Sequence, residues 1–326
     1  MQSSFCIAIA SHISNINRIP YLQDCLRSLV SQSAPISIYL SISFATNEIR
    51  EETLNQIHND TMQSEHLNIR VREQKTAQMR HYFLLYQEIN HLHEWVMFCD
   101  DDDTYHPERT QRFMQTIIST QTHIVLVNEG RDATLQTLKF AGLYENIEQP
   151  THHTKRHEYW CYCIRMDLLT RFFNVVEPTI GVLDDRCCDV LFAEYLRRKS
   201  PEWVYATIEQ PLYYYREDEN DDSVTGFIQM NQHKYTNQTS PPPMDDDNWL
   251  SYVLKWNDFL DDNIHIFLHD TYLRTLVGCD LDTILRAEFQ NNYFILDYVD
   301  QKHIMRITEL HNRVKHVCAE IYDLGL

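Results

Sequence analysis

A chain of 326 residues is long enough to bury a sizeable core and to carry one large domain plus a smaller appendage. Its 28 Lys and Arg against 47 Asp and Glu give a formal net charge of −19, which argues against nucleic acid or anionic lipid as a partner, since both need a basic footprint. Only 6 glycines, with no G-x-G-x-x-G and no G-x-x-x-x-G-K-[ST] stretch, argue equally against a dinucleotide-binding dehydrogenase and a P-loop enzyme.

In chain order, the apolar run from Phe5 to Ala10 predicts a buried first strand, followed by a polar loop from Ser11 to Arg18. Pro20 opens a helix whose apolar residues Leu22, Cys25, Leu26 and Leu29 recur at helical spacing. Ile36 to Phe44 reads as a second strand, Glu48 to Ile57 as a helix, and Leu67 to Val71 as a third strand. Thr76 to Ile89 is helical in pattern, and Glu94 to Cys99 is a fourth strand. Strands alternating with helices at this pace predict an α/β fold with a mostly parallel sheet flanked by helices. Ile124 to Asn128 and segments near Lys139 and Tyr159 continue the sheet less regularly.

Asp218 to Asp222 reads as an acidic loop, and the Pro- and Asp-rich stretch 239–248 as a linker. The domain boundaries are therefore 1–238, the linker, and 249–326. Leu250, Val253, Leu254, Ile304, Ile307 and Leu310 give that last region helical spacing, and a unit of roughly three or four helices is expected from typical helix lengths. Such a unit could pair two copies into a homodimer or hold an acceptor. Trp249 and Trp256 are read as its core.

Nine cysteines, an odd number without a spaced framework, read as reduced thiols. His152, His153, His157, Cys161 and Cys163 fit no regular zinc spacing. The first ten residues lack a basic n-region and no apolar run reaches membrane-spanning length, so a cytoplasmic protein is expected.

The most informative residues are Asp100-Asp101-Asp102-Asp103, directly behind an apolar strand. Ligands of open α/β sheets bind at the carboxyl ends of strands. Four carboxylates there repel one another, and a hard divalent cation such as Mn²⁺ or Mg²⁺ removes that penalty. A solvated acidic turn is the plain alternative.

The stretch Phe98-Cys99-Asp100-Asp101-Asp102-Asp103-Thr104-Tyr105-His106-Pro107-Glu108 resembles the L-D-x-D-D-x-Y-x-P-E block of family 2-type glycosyltransferases with the GT-A fold. Three further blocks are similar to that family. They are Ile7 to Ser11 followed by Asn17-Arg18, Leu22, Cys25-Leu26, Ser28-Leu29 and Gln32; Lys75 to Arg80; and Pro211-Leu212-Tyr213-Tyr214-Tyr215-Arg216. The resemblance covers about residues 5 to 225 and leaves the helical C-terminal region unmatched. Low glycine content and that tail set the chain apart from typical bacterial members, and the chain also resembles glycosyltransferases of large algal DNA viruses.

The resemblance implies a D-x-D motif at Asp100 and Asp102 with Asp103 adjoining. Asp102 is then the direct metal ligand, and Asp100 contacts ribose or a metal-bound water. It implies a donor pocket of Ala10, Ser11, His12, Arg18, Lys75, Arg80, Asp100, Asp101 and Arg216, with Arg80 and Arg216 neutralising the diphosphate. An acidic pair that the family uses to hold uracil is replaced here by Ser41-Ile42-Ser43-Phe44-Ala45. Gly181-Val182-Leu183-Asp184-Asp185 resembles the family's G-x-E-D turn, which implies Asp185 as the acceptor's base with Asp184 beside it. Helix capping is the plain alternative for either aspartate. Tyr159 and Trp160 are expected to stack on the acceptor sugar, with core packing as the equal alternative.

The expected activity is metal-dependent transfer of a sugar from a nucleoside-diphosphate sugar, UDP first among them, to a hydroxyl of a glycan or glycoprotein, with inversion. A catalytically silent GT-A protein that binds carbohydrate and a sugar-phosphate nucleotidyltransferase are the alternatives. The second would want a Gly- and Lys-containing pyrophosphate loop near the first strand, and none is present.

Overall fold

The computed structural model describes residues 4–60, 64–120, 125–128, 157–185, 187–197, 205–216 and 248–323. The expected strand near Lys139, the loop Asp218 to Asp222, nearly all of the linker, and His152 and His153 lie outside these residues. The chain divides into two compact units, Met1–Glu217 with Ile321–Leu326, and Asp218–Glu320.

The first unit is built on a seven-stranded sheet in the order β3-β2-β1-β4-β7-β6-β8. Its strands are β1 (Phe5–Ile13), β2 (Ser37–Phe44), β3 (Leu67–Val71), β4 (Trp95–Asp100), β6 (Val125–Asn128), β7 (Tyr162–Arg165) and β8 (Tyr205–Ile208). β5 (Thr104–Tyr105) and β9 (Tyr213–Tyr214) form a separate antiparallel pair. β1 pairs in parallel with β2 and β4, β2 with β3, and β6 with β8, whereas β7 runs antiparallel to both β4 and β6. The α/β expectation holds, with a mixed sheet rather than a purely parallel one.

Cys6, Ile7 and Ile9 of β1 and Met97, Phe98 and Cys99 of β4 are fully buried. Such continuous apolar runs suit central strands covered on both faces. β1 outlasts its apolar stretch. Ser11 and His12 remain in the strand rather than entering the expected loop, because β2 keeps pairing with them as far as Ile13↔Phe44.

The helices of this unit are α1 (Ile19–Val30), α2 (Asn47–Asp60), α3 (Gln78–Ile89), α4 (Arg109–Thr120), α5 (Met166–Val176) and α6 (Cys188–Arg197). Leu22, Cys25, Leu26 and Leu29 form the buried stripe of α1, as their spacing predicts. Chain order runs β1, β2, β3 outward on one side and then returns to β4 on the other side of β1. That reversal opens a crevice at the carboxyl ends of β1 and β4, which is where the Asp100–Asp103 run falls.

The second unit contains α7 (Trp249–Leu276), α8 (Leu281–Phe289), a 3-10 segment (Gln290–Asp297) and α9 (Gln301–Asp323) as far as Glu320. Trp256, Leu260, Phe267, Phe289, Ile295 and Ile307 make its core, with Trp256 stacked on Phe289 at 5.5 Å. The core reading of Trp256 holds. α7 stops at Gly278, whose φ of 93° is left-handed and suits glycine, while its N–H bonds the Thr275 carbonyl at 3.0 Å. Among the described residues no helix is long and apolar enough to cross a membrane.

Candidate active site

β4 delivers Asp100 to the crevice, and a tight turn closed by Asp103 N–H on the Asp100 carbonyl follows it. The four side chains are thereby sent in different directions, and each meets its own partners. Asp100 Oδ1 accepts from Gln78 Nε2 at 2.9 Å and from the Tyr159 hydroxyl. Asp101 accepts from Ser11 Oγ at 2.6 Å and from Arg18 at 2.9 Å. Asp102 has Arg18 at 3.5 Å and a side chain 29% exposed, against 11% for Asp101. Asp103 accepts from the Tyr213 hydroxyl at 2.8 Å and from the Arg216 N–H at 2.7 Å.

Burial and mutual repulsion set the electrostatics. Burial, then Asp103 and Asp102, raise the Asp100 carboxyl well above its ordinary range. Burial and Asp101 push Asp102 up to about 6. Burial and Asp102 push Asp103 up to about 7. Arg18 and the Arg216 backbone N–H pull the other way without cancelling the excess.

Among the described residues no three His, Cys, Asp or Glu side chains converge as a cage for a metal ion. The oxygen-only donor set still fits Mg²⁺ or Mn²⁺, which are commonly held by one or two carboxylates while substrate phosphates and water complete the shell.

The remaining expected donor residues surround this cluster. Ala10 and Ser11 are buried at the end of β1, and His12 Nδ1 lies 2.9 Å from Ser43 Oγ. Burial, with Lys75 and Arg18 nearby, lowers the His12 pKa. Lys75 is exposed. Arg216 lies over the Tyr21 ring at 4.5 Å, and its Nε donates to the Asp102 carbonyl at 2.9 Å. Arg80 is elsewhere. Its Nε and Nη2 grip both Asp184 oxygens at 2.9 and 2.6 Å, so it is tied to the Asp184 turn and not to the β4 carboxylates.

Asp184 ends a 3-10 segment, Glu177–Asp184, and is exposed. Asp185 Oδ1 accepts from the Cys187 N–H at 3.0 Å, just ahead of α6. Tyr159 and Trp160 correct the stacking expectation. They are 1% and 3% exposed and offer no open ring face. A single 3-10 turn, Tyr159–Cys161, tucks both under β4, where Tyr159 holds Asp100 and Trp160 stacks on Tyr213 at 4.0 Å.

Sequence reading missed three parts of the site. Gln78 and Tyr213 sit inside quoted blocks but are not singled out as site residues, and the β5–β9 pairing, Tyr105↔Tyr213, explains why Tyr213 reaches Asp103. The third part lies at Ser41 and Ser43, in the stretch that lacks the acidic pair. His81 is buried between Ser41 Oγ at 2.8 Å and Ser43 Oγ at 3.1 Å, and Arg72 donates to Ser41 at 2.8 Å. Burial and Arg72 lower the His81 pKa to about 3, so the ring is neutral.

Residues 12–132 match the family described as "Glycosyl transferase family 2", a span that includes His12, Arg18, Lys75, Arg80 and the four aspartates. No curated protein matches the chain in sequence. Similar solved structures are S. aureus TarS 1-349, at 13% identity and TM-score 0.47 over 99% of this chain and 92% of that one; S. aureus TarS, at 12% and 0.46 over 98% and 55%; and TarS 1-349 in complex with UDP, at 13% and 0.45 over 99% and 92%. Residues 12–132 thus carry a segment that matches glycosyl transferase family 2, held within the mixed α/β sheet described above.

Proposed function

We propose that the chain moves a sugar from a nucleoside-diphosphate sugar, with UDP the first nucleotide to test, onto a hydroxyl of a glycan or glycoprotein, with inversion. The observation that supports this best is the charge imbalance at the sheet's switch point. Four aspartates, three of them with raised pKa values, share the crevice with the guanidinium groups of Arg18 and Arg216. A site so built has a use for a bound divalent cation and the diphosphate it accompanies.

Asp102 would hold Mn²⁺ or Mg²⁺, with Asp100 or Asp103 reached directly or through water. The bound ion would supply neutralisation of negative charge on the departing nucleoside diphosphate. The protein's own groups do the rest. Ser11 and Arg18 fix Asp101 and shape the floor at the end of β1. Gln78 and Tyr159 orient Asp100, and Tyr213 orients Asp103. Arg216, folded over Tyr21 beside Asp102, is suited to face phosphate oxygens. Asp185 accepts the proton as the acceptor oxygen attacks the anomeric carbon and the nucleoside diphosphate leaves.

The test is thermal unfolding of the full chain with UDP and UDP-sugars, each with and without Mn²⁺. Saturating ligand at 100 times its dissociation constant stabilises by about 2.7 kcal/mol. A shift that needs both nucleotide and metal, together with hydrolysis of the UDP-sugar, supports the reading. An equal shift without metal sinks the metal site, and binding without turnover points to the silent carbohydrate-binding alternative.

A further inference from the structure

The first turn of α3 reaches the site in two directions at once. Gln78 Nε2 donates to Asp100 Oδ1 at 2.9 Å and to the Tyr159 hydroxyl at 2.8 Å. Two residues on, Arg80 holds both oxygens of Asp184 and also donates to the Ile180 carbonyl at 3.0 Å. Residues i and i+2 of a helix do not face the same way, so one rigid turn can serve two targets on different sides. The Glu177–Asp184 segment needs such support. Its helical geometry breaks at Thr179 (φ −121°, ψ 41°), and Ile180, the residue Arg80 grips, follows that break directly.

We infer that Arg80 is a positioning residue, which with Gln78 makes the start of α3 a spacer fixing the Asp184–Asp185 turn relative to the Asp100–Asp103 carboxylates. The inference rests on the glycosyl-transfer reading given above. Its force is geometric. Asp184 has a side chain 54% exposed, and a pair that open contributes little to stability. A guanidinium fork on a carboxylate and a carbonyl nevertheless fixes direction as well as distance. A base displaced by about 1 Å loses about 10²-fold in rate. Val182 and Leu183, both buried, anchor the turn as a whole, which leaves its fine placement to Arg80.

The test compares full-length wild type with Arg80→Met, Arg80→Lys and Asp184→Asn. Hydrolysis of UDP-glucose and UDP-N-acetylglucosamine with Mn²⁺ gives kcat and KM, and titration gives the Kd for UDP. Arg80→Met is expected to lower kcat by about 10- to 100-fold with the Kd for UDP changed less than twofold. Arg80→Lys, with the charge but not the fork, should fall between. Asp184→Asn breaks the same pair from its exposed side and decides the matter if Arg80→Met does not fold. Unchanged kcat in both variants overturns the inference, and so does a UDP affinity weakened fivefold or more at constant kcat, which would make Arg80 a donor ligand. Wild type that neither binds UDP nor hydrolyses either sugar nucleotide removes the function itself, and this inference with it.

Discussion

At the end of β4 Asp100, Asp101 and Asp103 each accept from a protein donor, and Asp101 and Asp103 are 9% and 1% exposed. Asp184, by contrast, lies at the surface of a 3-10 turn, and Asp185 beside it spends one oxygen on the Cys187 N–H. Desolvation raises the carboxyl pKa values in the first cluster. The difference teaches where each cluster draws its accuracy. The β4 aspartates are placed by a buried strand and its hydrogen bonds, so their geometry is bound up with folding. The Asp184–Asp185 pair is placed by a short irregular segment and one half-buried arginine, so its geometry can be lost while the fold survives.

The comparison breaks most visibly at Asp185. Asp185→Asn should cut turnover by about 10²- to 10⁴-fold, the range of general base catalysis, with UDP and Mn²⁺ binding retained. Steady-state kinetics beside a UDP titration checks both halves. Next comes Asp102→Ala, which should abolish the metal-dependent part of the thermal shift, worth about 2.7 kcal/mol at 100 times the dissociation constant.

A third effect is acid sensitivity next to the buried cluster. The neutral ring of His81 is the form the fold accommodates, since the folded ring takes a proton only near pH 3 whereas the ordinary value is 6.5. Its contribution is therefore complete above pH 6.5 and lost progressively below it. Wild type should lose about 2 kcal/mol relative to His81→Gln between pH 6.5 and 4.5, read by urea unfolding at each pH. Equal slopes in the two proteins would contradict the neutral assignment.

Tyr213→Phe removes the donor to Asp103 and the acceptor of the Asp100 N–H, so a cost of about 1.5 kcal/mol is expected by urea unfolding. The smallest effect is on the other side. Asp184→Asn should change stability by less than about 1 kcal/mol, because the pair it breaks is exposed. Should Asp184→Asn cost more than Tyr213→Phe, the contrast between the clusters is wrong.

Much of this was readable in the residues. The buried runs of β1 and β4 are apolar in sequence, and an acidic run ending such a strand marks the crevice whatever the rest of the chain does. Long-range partners were not readable. Nothing local to Arg80 says that it will meet Asp184, 104 residues away, and nothing at Tyr159 says that its hydroxyl belongs to Asp100. Those contacts depend on how α3 and the short turns dock against the sheet, where one residue of rotation sends a side chain elsewhere. The aromatic pair misled for a related reason. Tyr159 and Trp160 carry the composition of a sugar platform and of a core equally, and burial decides between them.

The central claim is that the carboxylates ending β4 take a divalent cation together with a nucleoside diphosphate. Crystals of the full chain grown with UDP and Mn²⁺, measured at the manganese absorption edge, test it directly. The account predicts an anomalous peak within about 2.0–2.3 Å of an Asp102 oxygen, at hard-cation distance, and contiguous with diphosphate density. Ordered UDP with no anomalous peak beside Asp100 to Asp103 would contradict it.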